Sequence, residues 1–304
     1  MTENVPALEV IGLRKEYRVR GAGSTTAVAS SGSALLGHPS KRRAPTSLVA
    51  VDDVSFTVAQ GRSLAVVGES GSGKTTVARM IVGLERPTGG QVVVGGRQRS
   101  WNQMGSRERR RRAREVQIVF QDPYSSLDPR MTIRACLDEV LRLHFDWPSE
   151  RIDARIEELL DQVGLDRRQA DGLPRSLSGG QRQRVAIARA LASEPRVLIC
   201  DEAVASLDVS IQAQVLNLLS DIREATGVSY LFISHDLAVV RQVSDDIVVM
   251  RRGQMVESGP TEQILTQPGD PYTQRLLAAI PRPGWHPTSS HDSGPEQTPS
   301  TESS

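Results

Sequence analysis

The segment that most constrains this chain is Ser63 to Thr75. Ser63 to Val67 is a compact apolar run ending at a glycine, the pattern of a buried parallel strand that enters a loop and a helix. The next residues, Gly68-Glu69-Ser70-Gly71-Ser72-Gly73-Lys74-Thr75, have the spacing Gly, four residues, Gly-Lys-Ser/Thr, and lead into the helical pattern Val77 to Val82. Glycines let the backbone wrap around phosphate oxygens with N–H groups pointing inward, and the helix offers the positive end of its dipole to the same charge. The segment therefore predicts a nucleotide cradle built from Gly68, Ser70, Gly71, Ser72, Gly73 and Thr76. Lys74 is expected to reach the β- and γ-phosphates, and the Thr75 hydroxyl to ligate Mg²⁺. A Gly/Ser-rich turn without a ligand is the competing reading. The strand before it and the helix after it argue against that.

The rest of the chain reads as α/β. Leu8 to Val19 is a strand pattern, and residues 21–47 turn rich in Gly, Ser, Ala and Thr, which predicts a flexible insertion. Val49 to Val58, Gln91 to Val94 and Val116 to Phe120 read as further strands. Within a helical insert at about 131–176, Ile152, Ile156, Leu159, Leu160 and Val163 recur at helical spacing and form one apolar face. From Ser178 onward helices alternate with the β-runs Val197 to Cys200, Tyr230 to Ile233 and Ile247 to Met250, the signature of βα units around a mostly parallel sheet. Beyond Arg282, Pro, Ser, Thr and Gly dominate, so 283–304 is expected to be a disordered tail.

Val197-Leu198-Ile199-Cys200-Asp201-Glu202 is an apolar strand ending in two acids. Parallel strands beside a phosphate loop deliver such acids to the nucleotide. Asp201 is expected to hold Mg²⁺ through water. Glu202, facing the other way on an extended strand, is placed to polarise the attacking water as general base. Acids at a strand end that merely face solvent are the alternative, and the phosphate loop weighs against it.

Leu177-Ser178-Gly179-Gly180-Gln181 before the helical Arg184 to Ala192 resembles the signature sequence of an ATP-binding cassette (ABC) ATPase, with the carboxylates about 20 residues downstream as in that family. The resemblance spans about Leu8 to Ile280. It implies a P-loop core with a mostly parallel sheet, an antiparallel β subdomain and a helical subdomain. It also implies two cassettes packed head to tail, with Ser178, Gly180 and Gln181 closing in trans over the γ-phosphate held by the other phosphate loop. Gln121 resembles the Q-loop glutamine that touches Mg²⁺ or the lytic water. Ala205-Ser206-Leu207-Asp208 resembles the D-loop that crosses the dimer, with Ser206 where the family has Ala. His235 resembles the switch histidine on the γ-phosphate. Tyr17 is the aromatic best placed to stack on adenine, and a strand-packing tyrosine is the equal alternative.

The segment Phe120 to Arg130 is similar to ATPase subunits of oligopeptide and dipeptide importers, as is Pro271-Tyr272-Thr273 in a C-terminal segment at about 258–282, where Asp270 stands in place of a common His. Some of those relatives carry an iron-sulfur cluster on cysteines of that segment; this chain has none there, and no cluster is expected. The implied partners are two transmembrane permease subunits, a second cassette, identical or related, and an extracytoplasmic solute-binding protein, with the chain on the cytoplasmic face of the cell membrane. Composition agrees: no basic start with an apolar run opens the chain and no stretch nears the ~20 apolar residues of a span. The two separated cysteines suit a reducing compartment. The formal net charge is +1, so the arginine run Arg107 to Arg114 reads as a solvated helix face rather than a nucleic-acid patch. A soluble ABC ATPase working on DNA or ribosomes and a degenerate nucleotide sensor are the competing functions. The first lacks heptad or zinc insertions here, and the second is opposed by Lys74, Asp201, Glu202 and His235 together.

Overall fold

The computed structural model describes residues 5–19, 46–102 and 105–279. The chain opens with an antiparallel pair, β1 (Leu8–Val19) and β2 (Thr46–Val58), then enters β3 (Ser63–Val67) and helix α1 (Lys74–Val82). β4 (Gly89–Val94) and the short β5 (Arg97–Gln98) complete a first sheet ordered β2-β1-β4-β5, and α2 (Ser106–Glu115) leads into β6 (Val116–Val119). Three helices follow, α3 (Ile133–His144), α4 (Ser149–Gln162) and α5 (Arg167–Ala170), before α6 (Gly179–Leu191). Strands and helices then alternate through β7 (Val197–Asp201), α7 (Val209–Thr226), β8 (Ser229–Ser234), α8 (Leu237–Val243) and β9 (Asp246–Arg251). A hairpin return, β10 (Gln254–Pro260), and helices α9 (Thr261–Thr266) and α10 (Pro271–Ala278) end the described chain.

The second sheet is ordered β10-β9-β3-β8-β7-β6, parallel except at the β10 edge. All five residues of β3 and of β7 are buried. That is why these strands read as unbroken apolar runs: a parallel sheet covered on both faces has no polar side. One face packs with α1 against the antiparallel sheet through Leu64, Val66, Val77, Met80 and Ile81; the other packs on the helices that follow β6. In α4, Ile152, Ile156, Leu159 and Leu160 are buried as their spacing requires, facing Ile133, Leu137 and Leu141 of α3. Each such side chain contributes about 1.5–3 kcal/mol by leaving water.

Register is what positions the site. Val67 lies opposite Ser234, and Asp201 opposite Ile233, so β3, β7 and β8 end together at one edge. The next residues along each strand are Gly68, Glu202 and His235.

Two sequence expectations change. β2 begins at Thr46, with Thr46 and Ser47 paired to Val19 and Arg18, so the last two residues of the expected insertion 21–47 are strand; the remainder lies outside the described residues, as does 283–304. At the other end, the expected C-terminal segment at about 258–282 takes in the last residues of β10 together with α9 and α10. The arginine helix α2 is not a uniformly solvated face. Arg112 is buried, Glu108 accepts hydrogen bonds from Arg111 and Arg112, and Arg114 donates to the Ser193 carbonyl and the Glu194 carboxylate. The helix packs on β6 and α3, and Arg112 turns inward to the Ser100 carbonyl while Arg107, Arg109 and Arg110 stay exposed.

Candidate functional site

At the sheet edge the phosphate loop is folded as its glycines require. Gly68, Gly71 and Gly73 all have positive φ, and Gly73 hands the chain directly to the N-terminus of α1. Lys74 is buried, and its ammonium donates to the carbonyls of Gly68 at 2.7 Å and Glu69 at 2.8 Å, with the Ser72 hydroxyl at 3.4 Å. Burial lowers the Lys74 pKa, opposed by Glu202, Asp201 and Glu69. A cation held among loop carbonyls and facing two acids is poised for anionic phosphate. The amides of Ser70, Gly71 and Gly73 have no acceptor among the described residues, whereas the Glu69 amide donates to the Tyr272 hydroxyl at 3.1 Å.

The Thr75 hydroxyl donates to Asp201 at 3.3 Å, so the two oxygens assigned to the metal converge from the loop and from β7. Asp201 is only 7% exposed, and burial raises its pKa, with the Thr75 hydrogen bond opposing. No cluster of three or more His, Cys, Asp or Glu able to hold a metal exists among the described residues. A hydroxyl and one carboxylate still fit Mg²⁺, which keeps several waters and completes its shell with phosphate oxygens.

Glu202 departs from expectation. It does not continue the extended strand: its backbone is left-handed, with φ 51°, and its N–H bonds to the Ile233 carbonyl at 2.9 Å. This turn brings its carboxylate to 3.0 Å from Nδ1 of His235. Such strain in a non-glycine residue costs about 1–3 kcal/mol and persists only where the surroundings enforce it.

Ser178 caps α6, accepting from the Gln181 amide, while the Gln181 side chain accepts from the Ser178 amide, a reciprocal capping box. The Ser178 hydroxyl keeps its own proton to donate. Gly180 is buried against Ile211: a Cβ there would meet Ile211 Cγ2 at 2.4 Å, which locks this helix start to α7. Asp208 caps α7, accepting from Ile211 at 3.0 Å and Ser210 at 2.7 Å, and the Ile211 amide bond first among these lowers its pKa. The Ser206 hydroxyl donates to the backbone carbonyl of Gln121 at 3.3 Å, so the departure from Ala ties the two loops within one chain. Tyr17, which pairs across to Leu48, donates its hydroxyl to Glu85 and has the Lys15 ammonium 4.8 Å from its ring centroid. Burial raises its pKa, followed by the Glu85 contacts, with Thr76 at the start of α1 opposing. It therefore stands beside the phosphate-loop helix. The Ser206–Gln121, Tyr17–Glu85 and Tyr272–Glu69 links were not visible in the sequence, because each joins residues far apart with no spacing signal.

A buried parallel strand, glycine loop, buried lysine and an acid-tipped strand one place removed in the same sheet define a P-loop nucleotide-binding fold. Residues 51–205 match the ABC transporter family. The chain is similar to the dipeptide transport ATP-binding protein DppF of Haemophilus influenzae, 41% identical over 92% of this chain and 80% of that one. It is similar also to the glutathione import ATP-binding protein GsiA of Escherichia coli K12, 47% identical over 76% of this chain and 37% of that one. Among solved structures it resembles the dimeric, ADP- and phosphate-bound ATP-binding cassette MJ0796, with TM-score 0.67, 25% identity, and coverage of 84% of this chain and 98% of that one. The chain belongs to the ABC transporter family, as an ATP-binding cassette that hydrolyses ATP. No helix among the described residues is long and apolar enough to cross a membrane.

Proposed function

We propose that this cassette powers import of a peptide or related solute, seated on the cytoplasmic face of the membrane through two permease subunits and served by an extracytoplasmic solute-binding protein. The relatives named for dipeptide and glutathione import support this reading over work on DNA or ribosomes. The helical unit at about 131–176 would receive the nucleotide state relayed by Gln121.

The observation that carries the mechanism is the meeting of three strand ends, with Thr75 and Asp201 3.3 Å apart and Glu202 and His235 3.0 Å apart. The loop amides of Ser70, Gly71 and Gly73, free among the described residues, would bind the phosphates, with Gly68, Ser72 and Thr76 completing the cradle, and Lys74 would neutralise their β and γ charge. Bound Mg²⁺, held by Thr75, Asp201 and Gln121, would supply charge neutralisation on the leaving phosphates. Glu202 takes the proton of the attacking water as general base, and His235, bonded to it, fixes that carboxylate and faces the γ-phosphate. The site is half of a composite: Ser178, Gly180 and Gln181 of a second cassette, packed head to tail, close over the γ-phosphate, with Asp208 at the crossing. Tyr17 would present its ring to adenine.

The test is Glu202→Gln in the full chain recovered with its permease. Turnover should fall roughly 100-fold or more while ATP binding persists and a nucleotide-bound dimer accumulates. Near-normal turnover would remove Glu202 from the role of base, and a chain that never co-purifies with membrane subunits would remove the importer reading.

A further inference from the structure

The phosphate loop is braced from outside by the last third of the chain. The Gly253 amide, in the turn between β9 and β10, donates to the Ser72 carbonyl at 2.9 Å, and the Met250 carbonyl lies directly against Gly68. Both are backbone contacts of the central sheet. The third brace is different in kind: a side chain from α10, beyond the 51–205 span of the family match, reaches the loop through the Tyr272 hydroxyl and the Glu69 amide, 203 positions apart.

Tyr272 is itself firmly set. It is 4% exposed, with the Arg251 guanidinium 4.9 Å from its ring centroid. Its amide donates to Asp270 at 2.7 Å, the cap of a helix that begins with Pro271, and Glu257 accepts from the amides of Gly269 at 2.7 Å and Asp270 at 3.3 Å. Asp270, out of pattern in the sequence, is a strong helix cap here. The hydroxyl thus arrives at the loop on a fixed support.

What it holds is one peptide plane. The Glu69 N–H and the Gly68 C=O belong to the same rigid, trans peptide unit and point in opposite directions. On one side the N–H meets Tyr272; on the other the C=O accepts from the Lys74 ammonium at 2.7 Å. Fixing the amide therefore fixes the carbonyl that locates Lys74. A glycine-rich loop left free would have to lose its conformational freedom when a nucleotide binds. A loop already held loses less.

We infer that Tyr272 is a positioning residue for the phosphate loop: through the Gly68–Glu69 peptide it orders the cradle and Lys74 before nucleotide arrives, making the C-terminal helix a determinant of nucleotide affinity. This inference rests on the proposed role of Lys74 and the loop.

The test uses the full-length, nucleotide-free chain and the Tyr272→Phe variant, which keeps the ring and removes only the hydroxyl. In the unmodified chain the Glu69 amide should exchange with deuterium at least about tenfold more slowly than that of Ser70, and in Tyr272→Phe this protection should disappear. The dissociation constant for Mg²⁺ with a non-hydrolysable ATP analogue should rise about fivefold, the scale of one net hydrogen bond. The nucleotide-free melting temperature should fall by no more than about 2–4 °C, the scale of one hydrogen bond. Thr273→Val is the control, since its buried hydroxyl has no partner on the same helix; it should leave affinity and Glu69 exchange unchanged. Unprotected Glu69 in the unmodified chain, unchanged affinity in Tyr272→Phe, or an equal loss in Thr273→Val would each overturn the inference. Lys74→Ala separates the two levels. If it abolishes binding while Tyr272→Phe does not weaken it, only the positioning role falls; if Lys74→Ala binds normally, the reading of the loop itself falls.

Discussion

Gly68→Ala should damage this protein far more than Gly71→Ala, although both residues sit in the same loop with positive φ. At Gly68, φ is +148°, and a Cβ would lie 2.1 Å from the Met250 carbonyl oxygen and 2.9 Å from the Ser72 hydroxyl. An ordinary carbon–oxygen contact is more than 1 Å longer. The Met250 carbonyl cannot withdraw cheaply, because Met250 is a buried residue of β9, whose neighbour Val249 pairs with Val67 of β3. The clash is thus with the sheet rather than with a flexible side chain. Backbone strain adds about 1–3 kcal/mol and overpacking a further 1–3 kcal/mol, giving a loss of roughly 4 kcal/mol. At Gly71, φ is +79° and nothing lies within 4 Å of the added methyl, so only a local strain of about 1 kcal/mol remains. For a chain of this size, 1 kcal/mol corresponds to about 2–4 °C in melting temperature. Thermal unfolding of the nucleotide-free variants, followed by circular dichroism, should show Gly68→Ala lower by about 10 °C and Gly71→Ala by about 3 °C. Equal losses, or none at Gly68, would refute the claim that the loop is packed hard against β9.

Two further outcomes concern α1 and α2. Arg99, 3% exposed, donates to the last carbonyls of the phosphate-loop helix, Ile81 at 2.7 Å and Val82 at 3.2 Å, and to Arg112 at 3.3 Å; burial pushes its pKa down to about 10, so it stays cationic at neutral pH. Arg99→Ala should cost about 2–4 kcal/mol in chemical denaturation by orphaning these carbonyls, and Arg99→Lys should not restore it, since an ammonium cannot fork between two elements. Glu108 has its pKa pulled down to about 2 by hydrogen bonds from Arg111 and then Arg112. The folded state favours its ionised form, so its contribution is present above the ordinary glutamate range and is lost as pH falls toward about 2. Glu108→Gln should therefore lower the melting temperature at pH 7, with the gap closing on acidification; a gap independent of pH would refute the pairing.

What could be read from the sequence was what is local along it. Ser63–Val67 declares itself because burial on both faces forces an unbroken apolar run, and Gly68 to Thr75 because the phosphate chemistry is carried by consecutive residues. The helical face of α4 followed from spacing alone. Glu202 was placed at the correct edge but not in the correct conformation: an extended strand was the natural continuation, and its left-handed turn is imposed by the Ile233 carbonyl and His235 from β8. The inward arginines of α2 were missed for a similar reason. Net charge and composition speak for the chain as a whole, whereas Glu194 and the Ser193 carbonyl meet Arg114 only once the sheet has formed. Tyr272 was visible as a motif residue, yet its connection to Glu69 is a product of topology, created when α10 returns to the edge where β3 ends.

The reciprocal cap joining Ser178 and Gln181 has a kinetic meaning. The Ser178 and Gln181 amides are satisfied within the solitary chain, and Gly180 wedged on Ile211 holds this helix start in place. In the proposed head-to-tail pair, a second cassette, identical or related, would meet a helix start that is already formed. The encounter would then be a docking of finished shapes, limited by diffusion and orientation, with nucleotide acting on how long the pair endures rather than on how fast it forms.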